Sequence, residues 1–444
     1  MRNIKRFLWM YLGALSALWL VAELTVWVAP AHFFDWRVVL MQYSGVLAIG
    51  VMSAAMVLAV RPVVFEPFFG GLDKMYRLHK WLGISALVIS TSHWLLAKAP
   101  KWLVGWGWLE RPARGARGTL PDAPVQQFLL DQRHLAEGVG EWAFYAAVVL
   151  MVLALLKWFP YRYFFKTHHL LALAYLALVW HSVVLLKFDY WSGVLGPFMA
   201  LLTAAGTVSA LLVLFGRVAA ARKVAGAVVG VRHHALLQVT EVDIQCEGAW
   251  RGHAPGQFAF VTLHADEGPH PYTIASAWAG DGRITFIIKA LGDYTSTLSE
   301  RVALGDGVEL EGPYGKFNFQ GACKRQIWIG AGIGITPFIA RMKALAMAHD
   351  GKSIDLFHPT SIVDEHAIGL MARDAEAAGV RLHVLGSERG GPLNAARLTQ
   401  QVPDWQDADI WFCGPALFGR SLKTDLMVMG LLESRFHQEL FQMR

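Results

Sequence analysis

The chain has 444 residues, 55% of them hydrophobic and only 17% charged, with a mean hydropathy of +0.38. That balance excludes an ordinary water-soluble globule, which carries more charge. A net charge of +6 needs no nucleic-acid partner, because much of it lies in loops between apolar stretches, and three cysteines at Cys246, Cys323 and Cys413 suggest reduced thiols rather than a disulfide framework.

The apolar excess ends near Phe215. Before it come six stretches, 7–28, 38–60, 79–97, 141–159, 168–186 and 191–215, each near the ~20 residues that cross a ~30 Å hydrocarbon core. The first follows "MRNIKR" but is too long for a typical cleaved signal, so it is expected to stay as a helix. Basic residues cluster at the N-terminus, between stretches two and three, between four and five, and after six. These are alternate loops. The positive-inside rule therefore places both termini in the cytoplasm. The loop 98–140 also holds arginines, but long loops count less; its "WLVGWGWLERPARGARG" suits either the outer membrane interface or a simple external loop. Arg37, near the outer face, is either a snorkelling arginine or an attractor of an anionic reactant or product.

The third stretch carries His79 and His93, and the fifth carries His168 and His181. A lone intramembrane histidine is explained by a bond to a neighbouring helix; two matched pairs are not. Spacings of fourteen and thirteen residues rise ~21 Å and ~20 Å along a helix. Two stretches separated by two crossings run parallel, so the pairs meet at two levels. That suits two stacked haems, one held by His79 and His168, the other by His93 and His181. Bis-histidine ligation favours electron transfer. Zinc is the rival, but its structural sites want four ligands close together. One detail resists: fourteen residues return nearly to one face of a helix and thirteen do not. Either the fifth stretch contains a bulge or the haems sit at different angles.

From about Val228 to Gly315 short alternating segments follow, "ALLQVTEV", "QFAFVTL", "YTIASAW", "RITFIIKAL" and "GVELEGPYG", which predict a small antiparallel barrel. From Gln326 onward, apolar strands lead into helices, as in a parallel α/β sheet: "QIWIGAGIGITPFIARMKALA", "SIDLFHP", "VRLHVLG" and "DIWFCGPALFGRSL". "GAGIGITP" sits at a strand-to-helix junction, where Gly330, Gly332 and Gly334 let a pyrophosphate approach and Thr336 and Pro337 open the helix. The expected fold is a six-helix transmembrane haem bundle (1–220), an antiparallel β-barrel (221–322) and an α/β nucleotide-binding domain (323–444).

The two histidine stretches, with "LHK" at His79 and "THHL" at His168, resemble the ferric reductase-like transmembrane domain shared by NADPH oxidases and ferric-chelate reductases. In that family the first histidine of the doublet is the ligand, which favours His168 and leaves His169 as a supporting residue. The soluble half resembles ferredoxin-reductase-type flavoproteins. "HPYTIAS" looks like the flavin-binding strand, and the resemblance implies roles for His270, Pro271, Tyr272, Thr273 and Ser276, with Tyr272 against the ring and Thr273 bonded to it. "KALGDYTSTL" resembles the FAD-phosphate segment, with Lys289, Gly292 and Thr295 matching. "FCGP" resembles the nicotinamide-side motif of Cys413, Gly414 and Pro415, and Phe441 in "ELFQMR" resembles a flavin-covering terminal aromatic. Taken singly, His270, Tyr272, Cys413 and Phe441 also read as ordinary strand, core or terminal residues.

The resemblance implies two b-type haems, FAD and NADPH or NADH. Electrons would pass from cytoplasmic NAD(P)H through FAD and the haems to an acceptor beyond a bacterial inner membrane. Superoxide production from O2, as in an NADPH oxidase, is the leading expectation. Reduction of a ferric chelate, or relay to a quinone or periplasmic partner, are the alternatives. Ala97, where some animal oxidases carry another histidine, counts slightly against the oxidase. The nucleotide type is open: Ser361 suits a 2′-phosphate, Asp364 and Glu365 would repel it, and Arg389 could reach it.

Overall fold

The computed structural model of the chain describes residues 2–110, 123–156, 158–386 and 392–439. It divides into two compact units. One comprises Met1–Pro62 and Lys74–Val218, the other Val63–Asp73 and Ala219–Met443.

The first unit is built from six long helices: α1 (Arg2–Thr25), α2 (Phe33–Ala59), α3 (Leu72–Gly105), α4 (Pro124–Leu155), α5 (Tyr161–Leu185) and α6 (Leu195–Leu214). All six are long and apolar enough to cross a membrane. Trp9, Leu20, Val88, Val149, Leu201 and Val208 are at least half exposed on them. Water would penalise so many bare apolar side chains; hydrocarbon does not. Small residues let the helices close in. Gly206 of α6 meets the Tyr175 hydroxyl of α5, and Gly50 of α2 meets Leu15 of α1. Ser53 of α2 bonds that same tyrosine at 2.8 Å.

Two helices run beyond their apolar windows. α3 continues through Pro100 to Gly105, and α4 starts at Pro124, where an external loop was expected. Gln126, Asp131 and Glu137 end the hydropathy signal, but they do not end a helix whose polar turns lie outside the hydrocarbon. Residues 111–122 of the expected loop lie outside the described ones.

The second unit contains two sheets. Strands β1 (Lys223–His234), β2 (Val239–Cys246), β3 (Phe258–Thr262), β4 (His270–Thr273), β5 (Arg283–Lys289) and β6 (Gly307–Tyr314) pair in the order β4-β3-β6-β1-β2-β5. The expected barrel is therefore corrected to an open six-stranded antiparallel sheet. Among the described residues its two ends are linked by an isolated bridge, Ile274 to Phe286, with Ala275 N donating to the Thr285 carbonyl at 2.8 Å, because the chain leaves β4 after four residues. Val242, Ile244, Ile284, Phe286 and Leu310 are buried together in its core. β1 begins before any segment expected from the sequence, since its glycine-broken "KVAGAVVGV" lacks a clean alternation.

The other sheet is parallel: β7 (Arg325–Gly330), β8 (Ser353–Thr360), β9 (Val380–Gly386), β10 (Ala408–Cys413) and β11 (Phe436–Gln438), ordered β11-β10-β7-β8-β9. Helices α7 (Thr336–Met347), α8 (Glu365–Ala377), α9 (Ala395–Gln401) and α10 (Ala416–Val428) flank it. Ile327, Phe357, Ile410 and Phe412 pack on one face, and Trp328, Leu356, Phe338 and Trp411 on the other. The short Val63–Asp73 segment belongs to this unit through Glu66, which is 3% exposed and accepts from the Gly315 N–H at 3.5 Å.

Candidate functional site

In the first unit the four histidines form two facing pairs. The ring centres of His79 and His168 are 5.9 Å apart, those of His93 and His181 6.4 Å. Two imidazole nitrogens, each about 2 Å from one metal ion, put their ring centres roughly 6 Å apart. Each pair is thus spaced for a single ion between its rings. A zinc cluster has no counterpart: among the described residues no group of three or more His, Cys, Asp or Glu side chains could share a metal.

The rings are also oriented. His79 Nδ1 lies 2.9 Å from the Ala55 carbonyl, and His181 Nδ1 lies 2.8 Å from the Ala136 carbonyl. A carbonyl only accepts, so each Nδ1 carries the proton and Nε2 keeps its lone pair. His93 Nδ1 is 2.9 Å from Ser44 Oγ. His168 stacks on Phe164, with ring centres 5.0 Å apart. His169 turns away from the pair, its Nδ1 2.5 Å from the Phe165 carbonyl one turn earlier. The residues present fit bis-histidine haem. α5 is unbroken helix throughout, so side-chain direction and helix crossing, not a bulge, absorb the thirteen-residue offset.

Arg37 of α2 has a structural partner. Its Nε donates to the Leu96 carbonyl at 2.8 Å and its Nη2 to that of Ala97 at 3.4 Å. Pro100 has no N–H to offer Leu96 four residues earlier, and Arg37 supplies the missing donor.

In the second unit β4 presents His270, Pro271, Tyr272 and Thr273 in antiparallel register with Val261, Phe260, Ala259 and Phe258. His270 stacks on Tyr294, ring centres 4.7 Å apart, and burial lowers its pKa to about 4, so it is neutral at physiological pH. Thr273 Oγ1 is buried and makes no hydrogen bond among the described residues. Such a hydroxyl calls for a partner, and a flavin ring fits. Two other expected contacts are committed locally. Ser276 Oγ accepts from Thr285 N, and Thr295 Oγ1 accepts from Leu291 N and Gly292 N at the start of the short Asp293–Ser296 helix.

The two nucleotide motifs interlock. Gly330 ends β7 directly beside Cys413 at the end of β10, and Ala331 N donates to the Cys413 carbonyl at 2.9 Å. A Cβ on Gly334 would collide with that carbonyl group and would lie 2.9 Å from Gly414 N. Thr336 Oγ1 donates to the Ile333 carbonyl, Pro337 occupies the first turn of α7, and Pro415 precedes α10. Cys413 is fully buried; burial first, and then the Glu439 carboxylate, push its thiol well up, so it stays protonated. Phe441 and Arg389 lie outside the described residues.

Beside this junction is a cleft of about 630 Å³ lined by Gly332, Ile333, Lys289, Ser361 and Asp364. It joins the glycine-rich turn to the end of β8, the course a dinucleotide takes across a parallel sheet. Asp364 also caps α8, accepting from Ala367 N at 3.0 Å. His358, which the sequence reading passed over, lines the cleft and donates from Nδ1 to the Gly330 carbonyl at 2.7 Å. Burial lowers its pKa.

Comparison with known proteins agrees with this division. The family described as ferric reductase like transmembrane component matches residues 44–179, which include three of the paired histidines; His181 lies two residues beyond. The oxidoreductase FAD-binding domain family matches residues 238–319. The chain is 29% identical over 214 residues to the stachydrine N-demethylase reductase subunit of Rhizobium meliloti, covering 44% of this chain and 60% of that one. It is 29% identical over 205 residues to an NADPH oxidoreductase of Mycobacterium tuberculosis, covering 44% and 54%. The chain thus spans little more than half the length of these relatives. Among solved structures, the flavohem-like FAD/NAD-binding domain of a Vibrio cholerae nitric oxide dioxygenase aligns with a TM-score of 0.43 and 21% identity, over 49% of this chain and 97% of that one. The chain thus joins six helices long and apolar enough to cross a membrane, with a region similar to the ferric reductase like transmembrane component, to a region similar to the oxidoreductase FAD-binding domain.

Proposed function

We propose that the protein carries electrons across a bacterial inner membrane, from cytoplasmic NAD(P)H through FAD and two b-type haems to an external acceptor. The carrying observation is the double histidine pairing, at 5.9 and 6.4 Å, with Nδ1 of His79 and His181 held by backbone carbonyls. His79 and His168 would hold the inner haem, and His93 and His181 the outer. Basic loops keep both termini cytoplasmic.

When bound, the flavin exchanges a hydride's two electrons for single electrons, and the haems carry these one at a time. The residues of the chain do the rest. The Gly330–Gly334 turn would receive the nicotinamide nucleotide's phosphates, and Lys289 those of the flavin nucleotide. Cys413, buried and protonated, leaves an uncharged wall beside the nicotinamide. Thr273 offers its hydroxyl to the flavin, and neutral His270 and Tyr272 form the strand that carries it. The carbonyls of Ala55 and Ala136 fix the tautomers of His79 and His181, and the apolar helices exclude water from both pairs.

The leading acceptor is O2, giving superoxide. A ferric chelate is the second reading, favoured by the match to the ferric reductase-like family. The test uses purified full-length protein with added FAD. NAD(P)H consumption and haem absorption are followed together, in air and then without oxygen but with a ferric chelate. Haem reduction with dismutase-sensitive cytochrome c reduction in air supports superoxide production. Turnover chiefly on the chelate supports the reductase. A preparation with no haem bands overturns the electron wire.

A further inference from the structure

We infer that α4, which carries none of the four paired histidines, is the seat of the second pair: Ala136 sets the tautomer of His181, and the bare backbone at Gly140 sets where its ring lies. The inference rests on the proposed haem ligation and adds two positioning residues to it.

Ala136 is fully buried, and its carbonyl takes the Nδ1 proton of His181 at 2.8 Å. Gly140 follows one turn later on the same face of α4 and is buried too. A Cβ there would lie 2.5 Å from Cε1 and 2.6 Å from Cγ of the His181 ring, and closer still to Nδ1. No real Cβ makes such contacts. The imidazole therefore rests directly against helix backbone, fixed by one hydrogen bond and one steric wall. Any side chain at 140 must push the ring off the Ala136 carbonyl and carry Nε2 away from the His93 ring it faces.

The other rings are seated differently. His93 lies against Gly45 of α2, but a Cβ on Gly45 would be 3.4 Å from its Cε1, a contact the ring can accept with a small shift. No glycine of the six helices has His79 or His168 among the nearest neighbours of its Cβ position. Gly138, two residues before Gly140, has nothing within 4 Å of its Cβ position. The same Gly→Ala change at three sites should thus have separable effects on two haems.

The experiment compares full-length wild type with Gly140→Ala, Gly138→Ala and Gly45→Ala. It measures haem per polypeptide, the low-spin optical and electron-spin signals, and flavin reduction by NAD(P)H as the check on folding. In G140A, haem content is expected to fall about twofold, or one of the two low-spin signals to become high-spin. The other signal and flavin reduction persist. G138A and G45A keep both signals. Two unaltered low-spin signals in G140A overturn the inference, and so does equal loss in G138A, which would mean general damage to α4. A wild type with no haem would instead defeat the ligation reading itself.

Should G140A fail to accumulate, a second variant decides. His181→Gly opens the seat to added imidazole, which can donate an N–H to the Ala136 carbonyl, and to 1-methylimidazole, which cannot when it ligates through its free nitrogen. Imidazole should restore the second low-spin signal at a concentration roughly fivefold lower. Equal or better rescue by 1-methylimidazole overturns the role of Ala136.

Discussion

Thr273 carries a buried hydroxyl whose hydrogen bonding is incomplete among the described residues. Its hydroxyl is buried on β4 with no partner among the described residues, so the protein without flavin bears the desolvation of an unmade bond. Valine has nearly the same shape and no hydroxyl. Thr273→Val should therefore raise the thermal midpoint of the flavin-free protein, or leave it unchanged, while weakening FAD about tenfold, within the range of one lost hydrogen bond. The two effects have opposite signs, which general damage cannot produce. Flavin fluorescence titration and a melting curve of the stripped protein measure them. Equal FAD affinity in T273V would remove Thr273 from the flavin site. Thr273 stands out in the sequence because the motif around it resembles one in which cofactor chemistry demands a particular side chain at a particular place. Ala136 and Gly140 do not. What matters at Ala136 is a carbonyl that every residue possesses, and at Gly140 the absence of a side chain, whose meaning depends on which helix packs opposite.

At the scale of elements, each sheet of the second unit is stitched across three of its strands by a buried carboxylate. Asp243 of β2 accepts from Thr285 and Arg283 of β5 at 2.6 and 2.7 Å and from Arg232 of β1 at 3.2 Å. Asp355 of β8 meets Arg325 of β7 at 2.7 Å, and Arg381 and His383 of β9 at 3.0 and 2.9 Å. Burial pushes both carboxyls up, but these donors outweigh it and hold both below the ordinary carboxylate value. A depressed folded-state pKa means that the unfolded chain takes up the proton first as pH falls. The stabilisation is thus complete above the unfolded value of about 4 and is lost as pH drops through the folded value. Thermal melts of full-length protein in detergent should show a midpoint insensitive to these groups at neutral pH and falling below about pH 4. In Asp243→Asn the acid-side fall should be shallower and the neutral midpoint lower, since asparagine cannot answer two guanidiniums. An acid limb identical to wild type would show that Asp243 does not set it. This stitching was not legible in the sequence, and neither was the open edge of the sheet. Alternation of apolar residues marks strands, but strand order depends on contacts between segments far apart in the chain, and β4 ends too soon to close a barrel.

At the scale of the whole molecule, the division of labour was readable from composition and motif: apolar helices with paired histidines, then flavin and nucleotide motifs in order. Helix lengths were less so, because polar turns at Gln126–Glu137 look like a loop to a hydropathy window and like a helix to the backbone. The proposed path implies a strict order of dependence that a single substitution can expose. His181→Ala removes one ligand of the second pair and touches neither the first pair nor the nucleotide motifs. Flavin reduction by NAD(P)H should then proceed at the wild-type rate, and the low-spin signal of the first pair should still be reducible. Delivery to a membrane-impermeant acceptor outside sealed vesicles should fall by at least tenfold. His79→Ala should also abolish delivery, but there the remaining haem should no longer be reduced by NAD(P)H, although dithionite still reduces it. Oriented vesicles with NAD(P)H on the cytoplasmic side make the comparison direct. Equal delivery in H181A and wild type would mean that electrons reach the far side without the second pair, and the ligand assignment of His93 and His181 would fall.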